Sequence, residues 1–204
     1  MTENRQYQEM LDGARRRIRK IDIYEAAALA GLAYDRAAGS ITFVTFGSRY
    51  RLNTATLETD PPMEMWHHLA VLQYLEGVDR SRPSNVWIGM GDLCDGGLVR
   101  GASFDREIDR LIENRLGKLD PDKIMDACRT MDASFETDSP ADLCAVFHFM
   151  PGYPLRLNLW YADEEFPASG KVLVNKAVQH CLGTEAIGTI AALLVNKLCD
   201  LCKG

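Results

Sequence analysis

A chain of 204 residues can bury the core of one compact domain, and 47% hydrophobic with 25% charged residues excludes a disordered or fibrous protein. The net charge of -6 excludes the broad basic footprint of a non-specific nucleic-acid binder, so no nucleic-acid partner is expected. The polar N-terminus, MTENRQYQEMLDGARRR, has no apolar signal core, and no run approaches a membrane span of roughly 18–20 apolar residues. The expected location is therefore the cytoplasm, with no membrane partner. There the six cysteines (Cys94, Cys128, Cys144, Cys181, Cys199, Cys202) are expected to be reduced and not paired.

No repeat, low-complexity segment or long linker divides the chain, so residues 1–204 read as one domain. An N-terminal helical segment over 1–21 precedes a core over 22–204. Tyr7, Met10, Leu11, Ala14, Ile18 and Ile21 recur at helical spacing and predict a helix over 3–20. Its basic run, Arg15-Arg16-Arg17-Ile18-Arg19-Lys20, spreads around the helix and reads as a solvated face, with an anion or nucleic-acid contact as the alternative. Asp22-Ile23-Tyr24-Glu25 resembles a capping box opening an Ala-rich helix that should stop near Gly31.

Residues 40–46 and 49–53, β-branched and aromatic, predict a hairpin turning at Gly47-Ser48. Pro61-Pro62 precedes a helix burying Met65, Leu69, Leu72 and Leu75. A loop over 80–85, a short strand over 86–88 and an irregular stretch marked by Gly89, Gly91, Gly96 and Gly97 follow. Phe104, Ile108, Leu111 and Ile112 define another helix. Asp120-Pro121 suits an N-cap followed by the first residue of a helix reaching about 129. Strands are expected over 133–136, 143–150, 155–161 and 171–174. A closing helix carries Ile187, Ile190, Ala191, Leu194, Leu198 and Leu201 on one face. Hairpins without regular βαβ alternation argue for an α+β fold: a mainly antiparallel sheet with helices packed on one face.

The stretch LWYADEEFP stands out because three carboxylates lie between aromatic flanks. In the strand before it, Leu155, Leu157 and Leu159 share the core face, while Arg156, Asn158 and Trp160 share the other with His148. Candidate ligand-binding residues are therefore Asp163, Glu164, Glu165, Trp160, Arg156 and His148. They can hold a metal through His148 and two acids, or pair Arg156 with Asp163 or Glu164 as a surface salt bridge. They can also perform acid–base chemistry as a small metal-assisted hydrolase, or form a purely structural loop. Adjacent side chains diverge on extended backbone, so at most two acids can point at one ligand. No reaction, cofactor or oligomeric state follows from the sequence.

The remaining chemistry-bearing residues read as structural. Cys199-Asp200-Leu201-Cys202 has CxxC spacing but closes a helix instead of opening one, and lacks two further zinc ligands; a labile disulfide or an iron–sulfur contact in trans is the alternative. His67 and His68 face different directions, and with His180 suit packing or solvent. Trp66 and Trp87 are expected in the core. The run from Gly89 to Gly97 lacks a phosphate-loop frame and carries two acids, so it reads as a sharp loop.

Three stretches together carry a family resemblance: ITFVTFGSRYRLN, VWIGMGDLCDGG, and YPLRLNLWYADEEFPASGKVLV followed by HCLGTEAIG. From about residue 20 to the C-terminus the chain resembles an uncharacterised domain family of unknown function, seen mainly in anaerobic bacteria and archaea. Its most specific element is Trp-x-x-Asp-Glu-Glu-Phe-Pro. The matching residues are Trp160, Asp163, Glu164, Glu165, Phe166, Pro167 and Glu185. Some members carry an iron–sulfur-type cysteine module, and this chain lacks its four-cysteine cluster. The reading favoured from the residues is an accessory domain that binds a small molecule, metal or protein partner through the edge near Asp163 to Glu165; the resemblance adds an anaerobic context, with a metal or corrinoid pathway as the expected setting. It assigns no activity.

Overall fold

Helix signals in the sequence become caps in the computed structural model, which describes residues 2–79, 83–93 and 101–203. Helix α1 (Thr2–Ile18) buries Tyr7, Leu11, Ala14 and Ile18. The Asp22 carboxylate then accepts from the Tyr24 and Glu25 N–H groups and starts α2 (Ile23–Leu29). Gly31 follows at φ +69, a conformation a Cβ would strain.

Strands β1 (Ala33–Asp35), β2 (Ser40–Thr45), β3 (Ser48–Asn53) and β4 (Thr59–Asp60) form a four-stranded antiparallel meander. The β2–β3 turn lies at Phe46-Gly47, one residue earlier than expected. Both residues take positive φ, 46 and 73, as a tight hairpin turn requires. Tertiary packing selects this register. The Phe46 ring is 1% exposed, with its centroid 5.6 Å from that of His67 and 5.8 Å from that of Phe149. Its N–H donates to the His148 carbonyl at 2.9 Å, joining this sheet to the next.

Helix α3 (Met65–Gly77) follows, N-capped by Glu64. Strand β5 (Trp87–Ile88) leads into a 3-10 turn (Met90–Asp92), and the chain continues in α4 (Ala102–Asn114) and α5 (Pro121–Thr130). Asp120 caps α5 by accepting from the Asp122 N–H, with Pro121 in the first turn. Strands β6 (Ser134–Phe135), β7 (Leu143–Met150), β8 (Tyr153–Trp160) and β9 (Ser169–Asn175) precede α6 (Thr184–Leu201). The second sheet runs β5-β9-β8-β7-β6, and every pairing in it is antiparallel.

The fold is α+β, but its strands divide into two sheets where one was expected. In the five-stranded sheet, Leu157 stands opposite Ala145 on β7 and Val172 on β9. Alternate residues Leu155, Leu157 and Leu159 are fully buried, each stabilising the fold by roughly 1.5–3 kcal/mol. Helices cover that face: α4 packs on β9, and α6 packs against α3, α4 and α5. Ile187, Ile190, Ala191, Leu194 and Leu198 of α6 are buried as their spacing requires, while Leu201 is 39% exposed. The two tryptophans expected in the core are only half-buried. Trp66 sits edge-on to Tyr7, and Trp87 lies on the short edge strand β5 with the Arg156 guanidinium 6.0 Å from its ring. Arg80, Ser81 and Arg82 of the expected loop, with Cys94, Gly96 and Gly97, lie outside the described residues. No helix among the described residues is long and apolar enough to cross a membrane.

Candidate functional site

Residues 163–167 form a short loop between β8 and β9, and its geometry gives the first of the three acids a role distinct from the other two. Asp163 is a turn former. Its Oδ1 accepts from the Glu165 N–H at 2.8 Å and the Phe166 N–H at 2.7 Å. Its own N–H donates to the Phe166 carbonyl at 3.0 Å, which closes the loop. This side-chain mimic of a backbone turn fixes the loop locally. The amides of Phe166 and Glu165 also hold the Asp163 carboxyl below its usual range, since they stabilise the anion. Glu164 and Glu165 project into solvent, and neither side chain has a protein partner among the described residues. Phe166 is 67% exposed, more than any other exposed large hydrophobic among the described residues.

The strand before the loop is anchored from the side. The Trp160 indole N–H donates to the Pro140 carbonyl at 3.1 Å, and the Tyr161 N–H donates to Asp142 Oδ2 at 2.8 Å. These bonds tie the 140–142 segment to the base of the acidic loop. Trp160 is half-buried there and keeps part of its ring in solvent.

Arg156 and His148 do share the outer face with Trp160, as alternation requires, but the structure does not bring them to the acids. His148 pairs with Pro154, at the opposite end of β8 from Trp160. That separation of about six residues corresponds to about 20 Å along the strand. Arg156 turns away from the triplet: its Nη2 lies 3.1 Å from Glu136 Oε2, and its Nε–H meets Cys144 Sγ at 3.0 Å. The Arg156 side chain is 17% exposed and that of Glu136 40%, so this is a partly desolvated pair with some screening left. Among the described residues, no group of three or more His, Cys, Asp or Glu side chains is placed to hold a metal ion.

Sequence reasoning missed Glu136, Asp142 and Asp105. Asp105 sits in α4 and holds the described start of the glycine-marked stretch. The Met90 and Gly91 N–H groups, at 2.9 and 2.8 Å, donate to its two carboxylate oxygens. These two amides are thus engaged by the chain's own carboxylate and not by an external anion. Local spacing offers no signal for these partners, because each is brought in by tertiary packing.

Cys199 and Cys202 are buried at the C-terminal end of α6, where burial pushes both thiols up and away from the reactive thiolate. His67 and His68 are buried and turn opposite ways, to Thr45 and to the Leu57 carbonyl, whereas His180 is exposed. In the basic run of α1, Arg15 pairs with Glu58 and Arg17 with Glu76.

A family model described as a domain of unknown function (DUF3786) matches residues 22–197. No curated protein and no solved structure matches the chain.

Proposed function

Because the chain belongs to the DUF3786 family, which carries no assigned activity, we propose from its geometry that it is a cytoplasmic accessory domain that docks on a partner protein through the loop at residues 163–167. In this reading Asp163 organises the loop, Glu164 and Glu165 supply negative charge, and Phe166 is the apolar anchor. Trp160 forms a wall at its base. The observation that carries the reading is an aromatic ring left 67% exposed on a loop fixed by its own hydrogen bonds. Burying the exposed part of such a ring is worth about 2–3 kcal/mol, which the isolated chain forgoes. Aromatic anchors on preorganised supports are what interface hot spots are built from.

The partner surface that fits is an apolar pocket rimmed by lysine or arginine. Opposite charge steers the encounter, and the Phe166 ring supplies contact energy. Arg156 then acts as a scaffold residue that pins β8 to the segment after β6, and His148 lies outside the contact. The setting in anaerobic metal or corrinoid metabolism rests on the family resemblance alone.

The test places a photo-crosslinking amino acid at position 166 in the native cell and, for comparison, at Val44, which is 41% exposed on β2. The expected result is one discrete, identified adduct at 166 that excess wild-type protein competes away and excess Phe166→Ser protein does not. Equal adducts at both positions, or competition by both proteins alike, would rule the loop out as the docking site.

A further inference from the structure

A second feature lies between the β2–β3 hairpin tip, the start of α3 and the C-terminal half of α6: a cavity of about 410 Å³. That is within the size range of small-molecule sites. Phe46, Tyr50, Leu193 and Leu201 give it apolar walls, and His67 and Lys197 reach it from α3 and α6. His67 is 5% exposed and Lys197 is half-buried.

The hydrogen bonds of these two side chains define what the cavity offers. Thr45 is fully buried, and among the described residues its hydroxyl meets only His67 Nε2, at 2.8 Å. A buried hydroxyl proton needs an acceptor, so the hydroxyl donates to Nε2. The ring proton then resides on Nδ1, the nitrogen left for the cavity. Lys197 Nζ donates to the Phe46 carbonyl at 3.1 Å and to Ser48 Oγ at 2.9 Å, which leaves one of its three N–H groups.

Two acids also line the cavity, and one oxygen of each has a partner other than Lys197. Glu64 Oε2 accepts from the His67 backbone N–H at 2.8 Å. Asp200 Oδ1 lies 3.7 Å from Arg115 and 3.8 Å from Lys203. Among the described residues, Lys197 forms no ion pair, although a partly buried charge is stabilised by a counter-ion. Burial lowers its pKa, and burial with the nearby Lys197 charge holds His67 near 4, so the imidazole stays neutral at pH 7. Two donors, one of them cationic and lacking a carboxylate, therefore face a space with apolar walls at Phe46, Tyr50, Leu193 and Leu201, and with Glu64, Asn196 and Asp200 at its other edges.

We propose that this cavity is a binding site for a small organic monocarboxylate, its carboxylate received by Lys197 Nζ and His67 Nδ1–H and its apolar body held against Tyr50, Leu193 and Leu201. This site is independent of the docking loop, and either can fail without the other.

The test titrates the whole chain at neutral pH with benzoate as the carboxylate probe and benzyl alcohol as its neutral counterpart, read by protein NMR. Benzoate is expected to bind saturably, with the largest shifts at the His67 ring, Ser48 and Lys197, and benzyl alcohol to bind at least about tenfold more weakly. Lys197→Met should weaken benzoate binding by about tenfold or more. Leu193→Trp, which keeps both donors and fills the space, should abolish it. Equal binding of the two probes, no saturable binding of benzoate, or shifts centred elsewhere overturns the proposal. If Lys197→Met fails to fold, wild-type shift mapping and Leu193→Trp still decide.

Discussion

Acidification should weaken this fold through His67 by an amount that can be worked out beforehand. The ring is packed among Phe46, Tyr50 and Phe149, and its pKa is lowered from 6.5 to about 4 by burial, then by the charge of Lys197. The unfolded chain therefore takes up this proton near pH 6.5, and the folded chain only near pH 4. The stability contributed by neutral His67 is fully present above about pH 6.5 and is lost as the pH falls towards 4. A difference of about 2.5 units at 1.36 kcal/mol per unit gives a loss of about 3 kcal/mol, of which about 2 kcal/mol has gone by about pH 5. Urea unfolding from about pH 7.5 down to about pH 4 measures it. Carboxylates and His68 contribute to the same curve, so the comparison is with His67→Gln, which keeps an acceptor for Thr45 and does not titrate. The variant should be less stable at neutral pH and show a shallower loss on acidification. Parallel curves for the two proteins would refute the reasoning, as would a His67 NMR titration centred near 6.5.

Further outcomes follow from particular contacts. Gly47→Ala puts a Cβ at a position 2.7 Å from the Met131 carbonyl carbon, at φ +73, so it should destabilise by about 1–3 kcal/mol or more in urea unfolding. Leu157→Ala empties a fully buried site between β7 and β9 and should cost about 2–5 kcal/mol in the same assay. Asp120→Ala removes the side-chain cap of α5 and should cost about 1 kcal/mol. Cys128, pushed up to about 12 by burial, and the buried Cys199 should resist maleimide at pH 8 until the chain is unfolded, as mass mapping of labelled peptides would show. Rapid native labelling of Cys199 would instead support a reactive CxxC.

Much of the fold was legible because its signals are local. Two-residue alternation along β8 marked the core face, whereas β7 is buried on both faces except at His148, and Asp22, Asp120 and Pro121 marked helix starts. β1 and β4 escaped notice because they are three and two residues long, and β1 is exposed throughout, so no buried face imposes a pattern. The hairpin turn was misplaced by one residue because burial of Phe46 overrides the glycine signal, a tertiary effect. At the candidate site, sequence placed Arg156, Trp160 and His148 on one face correctly. It could not fix the distance between them, which depends on the turn at Pro151-Gly152 placing His148 at the far end of the hairpin. Nor could it show that Arg156 meets Glu136, brought near by β6–β7 pairing, before it meets the acidic triplet.

The reading of the acidic loop depends on Asp163 being occupied by its own backbone, and amide hydrogen exchange at Glu165 and Phe166 tests that most directly. In the wild-type chain both amides should be protected despite their exposed position, and Asp163→Ala should abolish that protection while the melting temperature and the exchange of β8 stay unchanged. Fast exchange at both amides in the wild type would contradict it, because Asp163 would then be free to bind a ligand and Phe166 would have no fixed support.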